Sequence, residues 1–330
     1  MKKNISLFSL FFCFCTLSGQ SDFNRSSALN RVAHFLSTLT SDQKTMANLD
    51  FDDDFRSTWS NLPMEEVDRK GIMMSDLNDI QRLAIHGILR SVLSPQGYQK
   101  CLFIIQYDES THERLTKMNN PIARRYGHSN YWFSVFGNPE KDKSWAWKFE
   151  GHHLSLHFTF TPEGVTCGPM FMGINPALTR SGPYAGYHIM NEEFEFGNHL
   201  FNDLTEEMKG KAITGILPPD ADVMTKNGTE PHVKDRKGLA YTDMTIKQQQ
   251  LTEKIIRSWV DNLTSELSSV NMDHIMNGKD KIIFSWNGTR DTNDLHYYAV
   301  KSDDFIIEFT NRDGGIDHYH TLWFGLPDVK

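Results

Sequence analysis

Apolar residues recur at helical spacing in four stretches of this chain and at strand spacing in two blocks between and after them. Leu29, Val32, Ala33, Leu36 and Leu39 predict a helix over 26–39. Leu77, Ile80, Leu83, Ala84, Gly87 and Ile88 predict a second over 75–93, with Ser75 as N-cap and a stop before Pro95 and Gly97. The helical period returns over 191–208 and over 245–267, the latter carrying Ile246, Leu251, Ile255, Ile256, Trp259, Val260, Leu263 and Leu267. Short β-branched and aromatic runs predict strands at 102–107, 131–136, 145–150, 152–160 and 165–172, then at 281–286, 295–300, 305–310 and 318–323. Gly137-Asn138-Pro139, Gly173 to Pro176, Asn287-Gly288 and Gly314-Gly315 supply turns. A long surface loop is expected around Pro218-Pro219, Lys226 to Gly228 and 234–237.

Helices kept apart from strands, rather than alternating with them, predict an α+β fold. The expectation is a largely antiparallel sheet with helices packed on one side and a helical N-terminal region. One domain would cover 21–330, helical over 21–100, sheet-rich over 101–175, helical over 190–268 and sheet-rich over 281–325. No internal repeat is visible in the sequence.

Residues 1–20 read as a signal peptide: Lys2 and Lys3, an apolar run over 5–17, then Ser18 and Gly19. A secreted or periplasmic protein is expected. That run is shorter than the roughly 20 residues that span a bilayer, and no later stretch approaches it, so no membrane span is expected. Phe12 and Phe14, in front of Cys13 and Cys15, are wrong for lipid attachment. Beyond the leader two of the four cysteines remain, Cys101 and Cys167, either as one disulfide or as buried small hydrophobes. The 34 basic and 42 acidic residues give −8, and −10 (32 − 42) without Lys2 and Lys3. An acidic chain with no basic stripe argues against nucleic acid as a partner and leaves a small-molecule substrate or ligand.

The candidate chemistry lies in two histidine-dense segments, Gly151-His152-His153-Leu154-Ser155-Leu156-His157 and Asp317-His318-Tyr319-His320-Thr321-Leu322-Trp323. Strand residues two apart face the same way about 6.6 Å apart, so His318 and His320 can aim at one ion. His153 and His157 would be about 13 Å apart on a strand, so one residue of that segment joins the pair, His153 ahead of His152. Glu308 is the nearest candidate for fourth ligand or general base, and Glu150 the next. Imidazole donors with an open position make a catalytic zinc site and also suit copper or iron. Trp147, Tyr297, Tyr298 and Trp323 are candidates for a stacking wall on a substrate. His296 is a reserve ligand, and Arg124 and Arg125 are candidates for an anionic substrate group. Ser155 lacks the Gly-x-Ser-x-Gly turn of a hydrolase nucleophile, and nothing beside Cys167 lowers its pKa.

Several segments together resemble domain-of-unknown-function family 3500: Trp59-Ser60-Asn61-Leu62-Pro63, Phe133 to Pro139, Trp145 through Leu156, Pro169 to Gly173, Ile307-Glu308-Phe309 and His318 through Trp323. The resemblance spans nearly the whole chain after the leader and implies one continuous domain. No activity comes with it. The chain departs from the expected pattern at His157, where similar proteins carry Asn, and in a shorter stretch after Trp323. The residues themselves point to a metal-dependent hydrolase, or an oxidoreductase with copper or iron. The other reading is a non-catalytic extracytoplasmic module that binds a small ligand or carbohydrate.

Overall fold

The structure, a computed structural model, describes residues 18–182, 184–215, 222–225 and 236–325. Most of the expected leader, and Pro218, Pro219 and Lys226 to Gly228 of the expected loop, lie outside these residues. The first half of the chain forms α1 (Ser18–Thr38), α2 (Ser41–Ala47), β1 (Asn48–Leu49), β2 (Ile72–Met73), α3 (Asp79–Val92), α4 (Pro95–Lys117), β3 (Tyr131–Phe136), β4 (Trp145–Gly151), β5 (Leu154–Thr161) and β6 (Gly164–Ile174). The second half forms α5 (Asn191–Asp203), α6 (Glu206–Ala212), β7 (Ile213–Gly215), β8 (Leu239–Ala240), α7 (Ile246–Val260), α8 (Ser265–Asn277), β9 (Ile283–Gly288), β10 (His296–Lys301), β11 (Phe305–Thr310) and β12 (Tyr319–Gly325). The fold is α+β, as the segregated pattern predicts.

All twelve strands join one sheet in the order β1-β3-β4-β5-β6-β12-β11-β10-β9-β7, with β2 beside β3 and β8 beside β9. That order reads the same from both ends, and so does the element order of the two halves. The end strands β1 and β7 pair in parallel, with β3 and β9; every other pairing is antiparallel. The ladder Phe133, Phe149, Leu156, Met170 in one half matches Phe284, Val300, Ile307, Trp323 in the other. Met170 and Trp323 then pair with each other at the centre. The chain is therefore an internal structural duplication about a pseudo-twofold axis between β6 and β12.

Capping repeats as well. Asn78 with Gln81, and Thr245 with Gln248, form capping boxes that start α3 and α7. The Gln81 amide donates to the Thr38 carbonyl and the Gln248 amide to that of Asp203, both at 2.9 Å, tying each helix to the end of α1 or α5. The cap of α3 is thus Asn78 and not Ser75, which sits in the preceding short turn.

Side-chain alternation assigns the two faces of the sheet. One face carries Trp145, Trp147, Phe158, Phe160, Met172, Phe309 and Tyr319, and it packs with helix residues such as Val32, Ile85, Ile104, Phe201 and Ile255 into the main core. Cross-strand ring pairs consolidate it, with Trp145 on Phe160 at 4.0 Å and Trp147 on Phe158 at 4.7 Å. The other face is covered by the loop 51–70 and by 222–225. It holds two small apolar clusters, Trp59-Phe171-Val223-Leu322 and Tyr297-Ala299-Ile306. It also buries Lys148, Glu150, Ser155, His157, Glu308 and His320. The candidate ligand His320 and the candidate carboxylates Glu150 and Glu308 belong to this polar face.

Two expectations are corrected. The strand expected at 102–107 is part of α4, whose start is set by Ser94 as N-cap and Pro95 in the first turn. Its Cys101, Ile104, Asp108 and Leu115 turn inward at helical spacing, so the first strand-rich stretch begins at Tyr131 and not at 101. The helix expected over 245–267 is two, α7 and α8. The break lets Leu263 pair with Leu93 across the pseudo-axis, through Ser94 N to Asn262 O and Thr264 N to Val92 O. Cys101 and Cys167 are free and buried.

Candidate metal centre

β4 and β5 are joined by a two-residue turn, His152-His153, and not by a strand continuing through them, because Gly151 pairs directly with Leu154. His153 sits in the left-handed region at φ 58°. Histidine enters that region more readily than most residues, yet the conformation is strained for any side chain with a Cβ. The turn places the His153 ring over Gly173 of β6, which pairs with His320 of β12. His318 stands just ahead of β12 on the same face.

The three Nε2 atoms converge. His318 and His320 are 2.9 Å apart, His153 and His320 3.2 Å, and His153 and His318 3.3 Å. At metal–nitrogen bonds of about 2.05 Å, such separations give N–metal–N angles of roughly 90–107°, a facial cap with one side open. His153, His318 and His320 form a group that could hold a metal ion.

Hydrogen bonds behind the rings decide their tautomers. His320 Nδ1 donates to Asp222 Oδ1 at 2.7 Å, and His318 Nδ1 to Asp313 Oδ2 at 2.8 Å. With both Nδ1 atoms protonated, both Nε2 atoms carry lone pairs, and two lone pairs facing each other at 2.9 Å repel unless a cation lies between them. Burial is the main reason that His318 is pushed down to about 4, with Asp313 opposing it. Burial, with the Arg312 charge adding to it, holds His153 well below the usual range. Both rings are therefore neutral donors at pH 7. Burial disfavours the Asp222 charge, but the hydrogen bonds from His320, Val223 and Asn61 prevail and its carboxyl falls to about 2. Asp222 also accepts from Asn61 Nδ2 at 3.0 Å and from Val223 N at 2.7 Å.

His152 is not one of the three. Its Nδ1 donates to buried Asp108 at 2.7 Å, and its ring stacks on His153 with centroids 3.9 Å apart. Asp108 is fixed in turn by Gly127 N at 3.0 Å. The trio and His152 line an open cleft of about 760 Å³ whose walls include Tyr107, Tyr126, Arg114 and Arg312.

The two candidate carboxylates lie away from the trio. Glu308 accepts from Tyr297 OH at 2.7 Å and from the amides of Met224 and Thr225, so it fastens the 222–225 strap that carries Asp222. Glu150 is buried beside Lys148, 3.2 Å from its ammonium, and accepts from Ser155 Oγ at 3.5 Å. None of the four expected wall aromatics lines the cleft. Trp147 is in the helix-side core, Tyr297 and Tyr298 donate to Glu308 and to the Glu193 carbonyl, and Trp323 Nε1 donates to Cys167 O. His296 stacks on Trp286 in the core. Arg124 and Arg125 pair with Glu65 and Glu66. His157 is buried, bonded to Ser155 Oγ at 2.9 Å and to the Arg56 carbonyl.

The residues that the sequence reasoning missed are the polar second layer, Asp222, Asp313, Asn61 and Asp108. Asn61 lies in one of the segments quoted for the family resemblance. Asp313 is five residues before His318, near enough in the chain to have been considered. Asp222 and Asp108 carry no local signal.

The duplication supplies an internal control. In the other half the two-residue turn between β10 and β11 is Asp303-Asp304, and Thr166, paired with Thr159 as His320 is with Thr310, stands in the place of His320 beyond a register shift in β6. The corresponding turn and strand pairing are built there without imidazoles. The profile of the family described as "Protein of unknown function (DUF3500)" matches residues 24–324. The chain belongs to the DUF3500 family. No curated protein and no solved structure matches this DUF3500 chain. No described helix is long and apolar enough to cross a membrane.

Proposed function

We propose that this DUF3500 protein is an exported metal-dependent hydrolase with a single zinc ion held by His153, His318 and His320. The observation that carries this reading is the pair of Nε2 lone pairs aimed at each other at 2.9 Å, their orientation fixed by Asp313 and Asp222. Three neutral imidazoles without a carboxylate resemble the donor set of catalytic zinc more than the two-histidine, one-carboxylate set of non-haem iron. Zinc in such a site supplies a bound water acidified to a pKa of about 7.

The chain's own groups supply the rest. Asp222 and Asp313 orient the donors and raise their basicity. His152 makes no hydrogen bond through Nε2 to a described residue, while Asp108 holds its Nδ1–H, so Nε2 can accept a proton from an attacking water in the cleft and pass it on to the leaving group. The leader-like residues 1–20 support export, which N-terminal sequencing of the mature protein tests.

The functional test is ester hydrolysis. Tag-free protein loaded with zinc should cleave activated esters such as 4-nitrophenyl acetate. The His318→Ala, His320→Ala double variant should lose both the zinc and the activity while keeping its circular dichroism. Equal activity in the zinc-free variant would refute the proposal.

A further inference from the structure

The cleft that the trio opens into has an uneven charge balance. Its two acidic side chains are already engaged, Asp313 by His318 at 2.8 Å and Glu66 by Arg125 at 3.1 Å. Its two arginines are engaged less. Arg312 pairs with one oxygen of Asp222, at 3.4 Å, and the Arg114 side chain makes no hydrogen bond or ion pair to any described residue. Their positions mark two points along the cleft. Arg312 stands at the metal end, on the Asp222 carboxylate that holds His320 Nδ1 at 2.7 Å. The Arg114 charge acts on Tyr126, whose ring meets His152 edge-on at 5.1 Å. Tyr107 adds a hydroxyl that is buried and without a partner.

A site whose metal ligands are all neutral keeps the full charge of a divalent ion, and a guanidinium fork matches the oxygens of a carboxylate or phosphate. Placing both in one concave site focuses positive potential where a substrate would lie. We infer that the substrate is a small organic oxyanion, a carboxylate or phosphate, with its charged group against Arg312 beside the metal and its body running past His152 towards Arg114. Tyr107 OH is the polar group available along the way. The assignment rests on the metal site proposed above, and it is specific about charge. Neutral sugars and peptides without an acidic group are poor fits, because they would leave Arg114 uncompensated and Arg312 with a single contact to Asp222.

Calorimetric titration of the zinc-loaded protein with succinate, succinamide and inorganic phosphate tests it, with zinc content measured in the same samples. Succinate, phosphate or both should bind at least tenfold more tightly than succinamide, and the tighter of the two identifies the oxyanion. Arg312→Gln should remove most of that preference, and Arg114→Gln should weaken succinate severalfold, each with one zinc retained. A zinc-loaded protein that binds succinamide as well as either anion, or an Arg312→Gln variant with unchanged anion affinity, would overturn the inference alone. A wild-type protein that takes up no zinc would overturn the metal reading and this one with it.

Discussion

The Nε2 atoms of His153 and His320 lie 3.2 Å apart although the residues are 167 positions apart in sequence. Two features make that contact: the left-handed turn at His153 and the pairing of β6 with β12 at the pseudo-twofold axis. The site sits at one end of that central pairing.

In the proposed site Asp222 reaches the metal only through His320, whose Nδ1 it holds at 2.7 Å. Asp222→Asn should lower zinc affinity by about 10- to 100-fold, the usual range for a lost outer-layer carboxylate. The unfolding midpoint should stay close to wild type. Competition with a chromophoric chelator measures the first and urea denaturation the second.

His153 separates a structural role from a ligand role. Its positive φ suits glycine, and its backbone bonds, N–H to the Asn61 carbonyl and C=O from Gly173 N, survive the loss of the ring. His153→Gly should therefore keep or raise stability, by up to about 1 kcal/mol, while zinc binding falls sharply. A variant that loses stability and metal together would mean that the ring holds the turn.

Gly173 is required by the site and not by its own backbone conformation. A Cβ there would meet His153 Cδ2 at 3.0 Å and His320 Cδ2 at 3.1 Å. Gly173→Ala should push the two ligands apart, weakening zinc binding and costing about 1–3 kcal/mol of stability. Thermal denaturation with and without zinc reports both effects.

Lys148 gives a pH signature away from the metal. Burial lowers its ammonium from 10.5 to about 8, against the pull of Glu150. The unfolded chain keeps this proton to a higher pH than the folded chain does. The destabilising contribution is therefore fully present below pH 8 and is relieved as pH rises towards 10.5, a change on the order of 3 kcal/mol. Between pH 7.5 and 9.5 the unfolding free energy of wild type should rise relative to Lys148→Met. Parallel profiles would contradict the assignment.

Much of this architecture was legible from residue patterns. Tyr131–Phe136 and Phe305–Thr310 form strands over the expected residues, and the His-x-His pair with His153 meets as the spacing argument required. What escaped has physical reasons. Leu102 to Ile105 carry the β-branched and aromatic residues of a strand, but Ser94-Pro95 starts a helix as readily as it ends one. The duplication left no sequence period because α4 is longer than α8 and the connection 118–130 longer than 278–282, which together shift the spacing between the halves from 167 residues (Asn78 to Thr245) to 151 (Phe149 to Val300). Glu308 satisfied the test of facing the right side of the sheet, but strand alternation cannot reveal that the 222–225 strap occupies its oxygens.

X-ray absorption at the zinc edge of tag-free, zinc-loaded protein tests the central claim most directly. The account predicts one zinc per chain, with a first shell of three imidazole nitrogens at about 2.0–2.1 Å and one light oxygen donor, falling to two imidazoles or to no bound zinc in His153→Gly. Failure to take up zinc, or a first shell unchanged by that substitution, would contradict it.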